Sequence, residues 1–202
     1  MSDIDREKWN TKYRSNTEVP HEPSTVLTAL DHLIPRHGNA LDMAGGGGRN
    51  SLWLAERGLD VTVADISEVG LSLATERAGE RGITIQTRQV DLETDGILLG
   101  PWDLIVSILY LCRPLLQESP KTLRPGGTLV VVQPTRTNLE RHAHPSAKYL
   151  LHDGELPSLI QGLEIVHYEE GWLADGRHDA LLVANRPPET GSLENRGREK
   201  SF

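Results

Sequence analysis

The sequence predicts an α/β fold with a mostly parallel sheet and helices on both faces, and three observations predict it. From residue 40 onward apolar strands alternate with amphipathic helices, the pattern of parallel winding. Four consecutive glycines, Gly45 to Gly48, join a buried strand end to a helix start. Near the carboxyl end two strands are joined by a Gly- and Asp-containing loop, which closes the sheet with a hairpin.

A short helical piece carries Trp9 and Tyr13. Val26, Leu27, Leu30, Leu33 and Ile34 then recur at helical spacing, with Ser24 as cap and Pro35 as stop, so residues 24–34 read as an amphipathic helix. Ala40 to Met43 is the first strand, Arg49 to Arg57 its helix, and Gly58 the stop. Val61 to Ala64 is the second strand; Ser67 caps a helix running to about Arg81. Ile83 to Val90 is the third strand, ending at Asp91, and the nearly all-apolar Leu104 to Leu109 is a fourth, covered on both faces. Pro114 to Leu123 is a helix, Pro125-Gly126-Gly127 a turn, and Thr128 to Gln133 the fifth strand. Pro134 to His152 has no clean period and is rich in Arg and His. A helix from about Gly154 to Gln161 precedes the strands Leu163 to Glu169 and Ala180 to Asn185, joined by the loop Gly171 to His178.

With 202 residues, 37% hydrophobic and 25% charged, residues 1–186 make one domain with one ordinary core, and 1–39 form a helical region ahead of the sheet. Residues 187–202 mix Pro, Gly, Ser and balanced charges and read as a disordered tail. A net charge of −8 argues against a nucleic-acid backbone as the main partner, which needs a basic face. One cysteine, Cys112, excludes an internal disulfide and a multi-thiolate zinc site and fits the cytoplasm. The start MSDIDREKWN is acidic where a signal peptide would be basic then apolar, and no apolar run is long enough to span a membrane.

The glycine run is a nucleotide-type signal. It lets a ligand lie on bare backbone, and Asp65, ending the next strand, can accept both hydroxyls of a ribose. The dinucleotide fingerprint GxGxxG fails in both registers, because it would place glycine at Asn50 or at Ser51. What fits is D-x-A-x-G-x-G, from Asp42 through Ala44 and Gly46 to Gly48.

That pattern resembles motif I of the class I methyltransferases that use S-adenosylmethionine, with Ala44 standing where the family's first glycine falls. The phrases KWNTKY, GRNSLWLAERG, DIS and DGELPSLIQGLEIVHYEEG narrow the resemblance to the small methyltransferases of the tellurite-resistance and thiopurine methyltransferase group, over about residues 8 to 186. It implies a Rossmann-like class I methyltransferase fold: a seven-stranded, mostly parallel sheet with an antiparallel carboxyl-terminal strand. The bound cofactor would be S-adenosyl-L-methionine and the product S-adenosyl-L-homocysteine. By this resemblance Gly45, Gly46 and Gly48, with Ala44, Arg49 and Asn50 beside them, hold the amino acid and ribose portions, and Asp42 meets the ammonium group. Asp65 takes the ribose, Ile66 covers the purine face, Asp91 and the backbone of Leu92 meet the adenine amine, and Leu109 closes the fourth strand end. Trp9 and Tyr13 belong to the region that folds over the cofactor in that group.

Tyr110 and Arg113, after the fourth strand, and Arg177 and His178, in the closing loop, are the candidates for contact with a small-molecule acceptor. The resembling group carries His then Arg near that loop; here the order is Arg then His and the hairpin is shorter. A soft or anionic acceptor needs no general base, whereas a neutral amine or hydroxyl does, so no catalytic residue is assigned. His142, His144 and His152 lack an acidic partner at clear spacing, so no metal site is expected. Cys112 reads as a buried filler. Two rivals stand beside this reading: a nicotinamide-type oxidoreductase and a non-catalytic cofactor-binding module.

Overall fold

The computed structural model describes residues 3–15 and 19–189, so the tail expected from 187 onward lies largely outside the described residues. Seven strands form a single sheet: β1 (Gly38–Met43), β2 (Leu59–Asp65), β3 (Gln86–Gln89), β4 (Trp102–Ile108), β5 (Leu123–Pro134), β6 (Glu164–Trp172) and β7 (His178–Asn185). Their order is β3-β2-β1-β4-β5-β7-β6. The first five strands pair in parallel, while β7 runs antiparallel to both β5 and β6. The strand order reverses between β1 and β4, which puts a ligand crevice at the carboxyl ends of those strands.

Helices α2 (Thr25–Ala29), α3 (Arg49–Glu56) and α4 (Glu68–Glu80) cover one face, and α5 (Leu92–Asp95), α6 (Arg113–Thr122) and α7 (Leu156–Leu159) the other. β-strand alternation sorts the apolar side chains between these layers. Val61, Val63, Leu104, Val106, Val130 and Val132 pack on the first, and Leu41, Met43, Ile105, Leu129 and Val131 on the second. Helix α1 (Asp3–Ser15) lies over the N-terminal end of α4. No helix among the described residues is long and apolar enough to cross a membrane.

Several expected elements differ. The helix expected over 24–34 is broken at Leu30 into α2 and a 3-10 turn, Asp31–Leu33, and Ser24, expected as its cap, makes no side-chain cap bond while its N–H donates to Asn50 Oδ1 at 2.9 Å. Val26, Leu27, Leu30 and Ile34 are nevertheless buried, so the apolar spacing is satisfied by the kinked pair. The strand expected over 83–90 shortens to β3, a polar edge strand paired only with β2. The helix expected over 154–161 shrinks to α7, and α5 adds a turn of helix that the sequence does not announce. Trp102 pairs with Leu123 and Leu104 with Thr128, so the Pro-Gly-Gly turn persists as an excursion inside β5. The closing hairpin is tighter than expected, with β6 reaching Trp172 and β7 starting at His178.

Candidate active site

The loop from β1 to α3 is shaped by left-handed backbone at Ala44 (φ 55), Gly46 (φ 54) and Gly48 (φ 78). Glycine adopts this conformation freely, and alanine at about 1–2 kcal/mol. The substitution at Ala44 therefore keeps the loop's path at a cost in strain. Gly45 and Gly46 are required by close approach as well. A Cβ on Gly45 would stand 2.7 Å from Val63 Cγ1 and 2.8 Å from Asp42 Oδ2, and one on Gly46 would overlap the Tyr13 hydroxyl.

Two acids sit under this loop. Asp65, at the end of β2 and 6% exposed, accepts from the Gly46 N–H through Oδ2 and from the Ser67 N–H through Oδ1, both at 2.8 Å. Ser67 caps α4 as expected, its hydroxyl accepting from the Gly70 N–H at 3.0 Å. Asp42, 1% exposed, accepts from the Ser51 hydroxyl at 2.5 Å, and burial pushes its carboxyl up to about 6. Burial likewise raises the Asp65 carboxyl above the usual range.

Helix α1 covers the loop. Trp9 and Tyr13 stack with centroids 6.1 Å apart, and Tyr13 lies against Gly46 and Gly70. Between them on the helix, buried Asn10 donates to Glu68 Oε1 at 2.8 Å and accepts from the Ser67 hydroxyl at 2.6 Å, fixing α1 to the start of α4. Arg77, 4% exposed, donates to the carbonyls of Gly47 (3.1 Å) and Pro20 (3.2 Å), tying the chain after α1 to the loop. Neither residue is singled out by sequence reading. Arg77 leaves a signal, since it shares the buried stripe of Leu71, Ala74 and Ala78, where a charge needs a partner. Asn50, expected at the ligand, spends its side-chain oxygen on the Ser24 N–H.

Beside the loop opens a cavity of about 420 Å³ lined by Ile66, Gln89, Val90 and Asp91 from the sheet edge and by Asp3 and Arg6 from α1. It brings together Ile66 and Asp91 as expected. Asp91 also caps α5, Oδ1 accepting from the Glu93 N–H at 3.0 Å, and the Leu92 side chain is buried at 1% exposure.

On the other side of the crevice, Leu109 follows β4 with φ 60 and 41% exposure, its N–H donating to the Val132 carbonyl at 2.8 Å. Among the described residues the buried Tyr110 hydroxyl meets no hydrogen-bond partner at bonding distance, with the Cys112 thiol its neighbour, and burial raises both groups. Arg113 is committed elsewhere: its guanidinium donates to both Glu155 oxygens at 2.6 and 2.7 Å and to the Leu150 carbonyl at 3.1 Å. Arg177 pairs with Asp175 at 3.2 Å and with buried Asp179 at 3.1 Å. Burial first, and then the Arg177 charge, hold half-buried Arg49 below its ordinary value. His178 lies edge-on to Trp172 at 5.1 Å with Nδ1 2.8 Å from the Thr135 hydroxyl. Of the three histidines read in the irregular segment, His142 meets the Gly176 carbonyl at 2.8 Å, and His144 and His152 are exposed.

Comparison with known proteins gives this crevice a context. Residues 40–127 match the family described as "Methyltransferase domain". The chain is 31% identical over 144 residues to a ubiquinone biosynthesis O-methyltransferase of Parvibaculum lavamentivorans, covering 69% of this chain and 50% of that protein. It is 29% identical over 129 residues to a ribosomal RNA small subunit methyltransferase C of Alcanivorax borkumensis, covering 58% of this chain and 39% of that protein. It thus spans half or less of these curated relatives. The structure of TehB from Haemophilus influenzae superposes with a TM-score of 0.67 at 24% identity, over 90% of this chain and 66% of that one. Residues 40–127 thus resemble a methyltransferase domain, and the strand order and the superposition give the chain the fold of the TehB structure.

Proposed function

We propose that this protein is an S-adenosylmethionine-dependent methyltransferase acting on a small-molecule acceptor in the cytoplasm. The observation that carries the reading is Asp65 held beneath the glycine loop, with the cavity of Ile66 and Asp91 opening beside it. The residues present fit the cofactor: the loop has no room for side chains at Gly45 and Gly46, and the cavity sets apolar Ile66 and Val90 among polar groups that include Gln89, Asp91 and Asp95. Asp65 would hold the ribose, Ile66 the purine face, Asp91 with the Leu92 backbone the adenine amine, and the loop with Asp42 the amino acid end. Trp9 and Tyr13 on α1 would exclude water from above.

When bound, the cofactor supplies a methyl group made electrophilic by a sulfonium, and an in-line displacement neutralises that charge. The protein's part is alignment and exclusion of water. Tyr110, whose buried hydroxyl has no hydrogen-bond partner among the described residues, would face the acceptor side, and Arg177, tied to Asp175 and Asp179, would position the closing loop. A soft or anionic acceptor would need no general base. Arg113, bound to Glu155, is left with a positioning role for the segment around residue 150. The net charge of −8 supports a small acceptor over a nucleic acid.

Calorimetry with S-adenosylhomocysteine tests the reading. The wild type is expected to bind one equivalent, and Asp65→Ala to lose on the order of a hundredfold, since two charge-assisted contacts disappear. No binding by the wild type, or undiminished binding by Asp65→Ala, overturns it. Binding of NADH in its place would restore the oxidoreductase, and turnover of no acceptor across thiols, oxyanions, amines and phenols would favour the binding module.

A further inference from the structure

Beyond the cofactor crevice, one cluster brings together ligand groups from three separate segments. Asp153 follows the irregular stretch after β5, Glu170 lies on β6, and His178 opens β7. One ligand atom from each lies within 4.8 Å of the others. Local spacing among His142, His144 and His152 gives no hint of this set, because β5–β7 pairing and the chain's return near residue 151 assemble it.

Each candidate ligand is held from outside the cluster. The Thr137 hydroxyl donates to Asp153 Oδ2 at 2.6 Å and the Thr137 N–H to Oδ1 at 3.4 Å. Glu170 accepts from the Gly154 N–H at 3.0 and 3.1 Å and from the Tyr168 hydroxyl at 2.6 Å. The His178 ring is fixed between the Thr135 hydroxyl and the edge of Trp172. Preset orientation by outer partners is what metal ligands require. Among the described residues neither carboxylate forms an ion pair with Lys or Arg, so both carboxylates meet the imidazole without a salt-bridge partner of their own.

We propose that Asp153, Glu170 and His178 form a binding site for one divalent transition-metal cation, which clamps the β6–β7 hairpin to the segment after β5. One nitrogen and two carboxylate ligands select zinc or manganese over magnesium, which prefers oxygen and keeps its water. The site stands at the end of the sheet where β5 finishes and β7 begins, the edge that also holds the crevice. Closing three atoms now within 4.8 Å onto one ion needs only small side-chain movements.

Calorimetric titration of the full chain with Zn²⁺, against Mg²⁺ as the second probe, tests the proposal. Expected are one saturable Zn²⁺ per chain, a loss of about tenfold or more in His178→Gln and in Asp153→Asn/Glu170→Gln, and no change in His144→Ala. Saturating Zn²⁺ is also expected to raise the Tm of the wild type and leave that of the double variant unmoved, a reading that does not depend on activity. Absence of saturable Zn²⁺ uptake, uptake retained in the double variant, or equal affinity for Mg²⁺ overturns the site. Circular dichroism verifies that each variant is folded. S-adenosylhomocysteine binding on the same samples separates failure of the metal site from failure of the methyltransferase reading.

Discussion

Gly46→Ala tests the geometry of the closed crevice most directly. Two independent penalties meet at this residue. Its φ of 54 costs an alanine about 1–2 kcal/mol. The added Cβ would also overlap the hydroxyl of Tyr13, so that side chain must leave its place, forfeiting its stacking on Trp9, a further ~1 kcal/mol. The total is about 2–3 kcal/mol, read by urea unfolding under circular dichroism. In a Tyr13→Ala background the second penalty is absent, and Gly46→Ala should cost only the backbone share. Gly82→Ala calibrates that share, since Gly82 has φ 66 and an added methyl there would meet nothing within 4 Å. An identical cost for Gly46→Ala with and without Tyr13 refutes the placement of α1 over the loop, because neighbours that touch cannot be additive.

Two further outcomes follow from buried polar groups. The Asp42 carboxyl, pushed up to about 6, holds its proton in the folded state where an unfolded aspartate, near 3.9, has lost it. Stability should therefore fall as pH rises from about 4 to 6, while S-adenosylhomocysteine affinity, which uses the ionised Asp42, should rise about tenfold from pH 5 to 7; Asp42→Asn weakens both trends, leaving the share of the other buried carboxyls, and calorimetry across that range checks them. Asn10→Ala leaves the Ser67 hydroxyl without its buried acceptor and should cost about 1–3 kcal/mol and hasten proteolysis within α1, measured by gel against the wild type.

The strands and the loop were legible because they rest on local rules. Apolar runs, the glycine register and the Ser67 cap need only nearby residues to declare themselves. What escaped reading is where distant segments share polar partners. Arg113 reads as an exposed cation near the acceptor, yet Glu155, 42 residues away, takes its guanidinium. Asn50 reads as a ligand contact, and the Ser24 backbone claims it. Asn10, Arg77 and the Asp153–Glu170–His178 set depend equally on partners that only the folded chain supplies. The 24–34 helix failed for a related reason: apolar spacing fixes which residues are buried, and Leu27, Leu30 and Ile34 are, but it cannot tell one helix from two short turns presenting the same face.

Asp65 shows how a residue read for one job can hold another. With Ser67 capping α4, the acid looks released for a ribose, yet its two oxygens already hold the Gly46 and Ser67 N–H groups. Each carboxylate oxygen has a second lone pair, so loop anchoring and ribose binding are compatible. They are not equivalent in a truncation experiment, because Asp65→Ala removes the anchor and the ligand contact together. A ligand-side perturbation separates them. If Asp65 accepts a ribose hydroxyl, the wild type should discriminate against the 2′-deoxy analogue of S-adenosylhomocysteine by about tenfold, the worth of one charge-assisted hydrogen bond. In Asp65→Asn, folded but with a weaker acceptor, that discrimination should shrink toward unity. If Asp65 only anchors the loop, both proteins lose the same factor on removal of the hydroxyl, and the ribose must be held by another group.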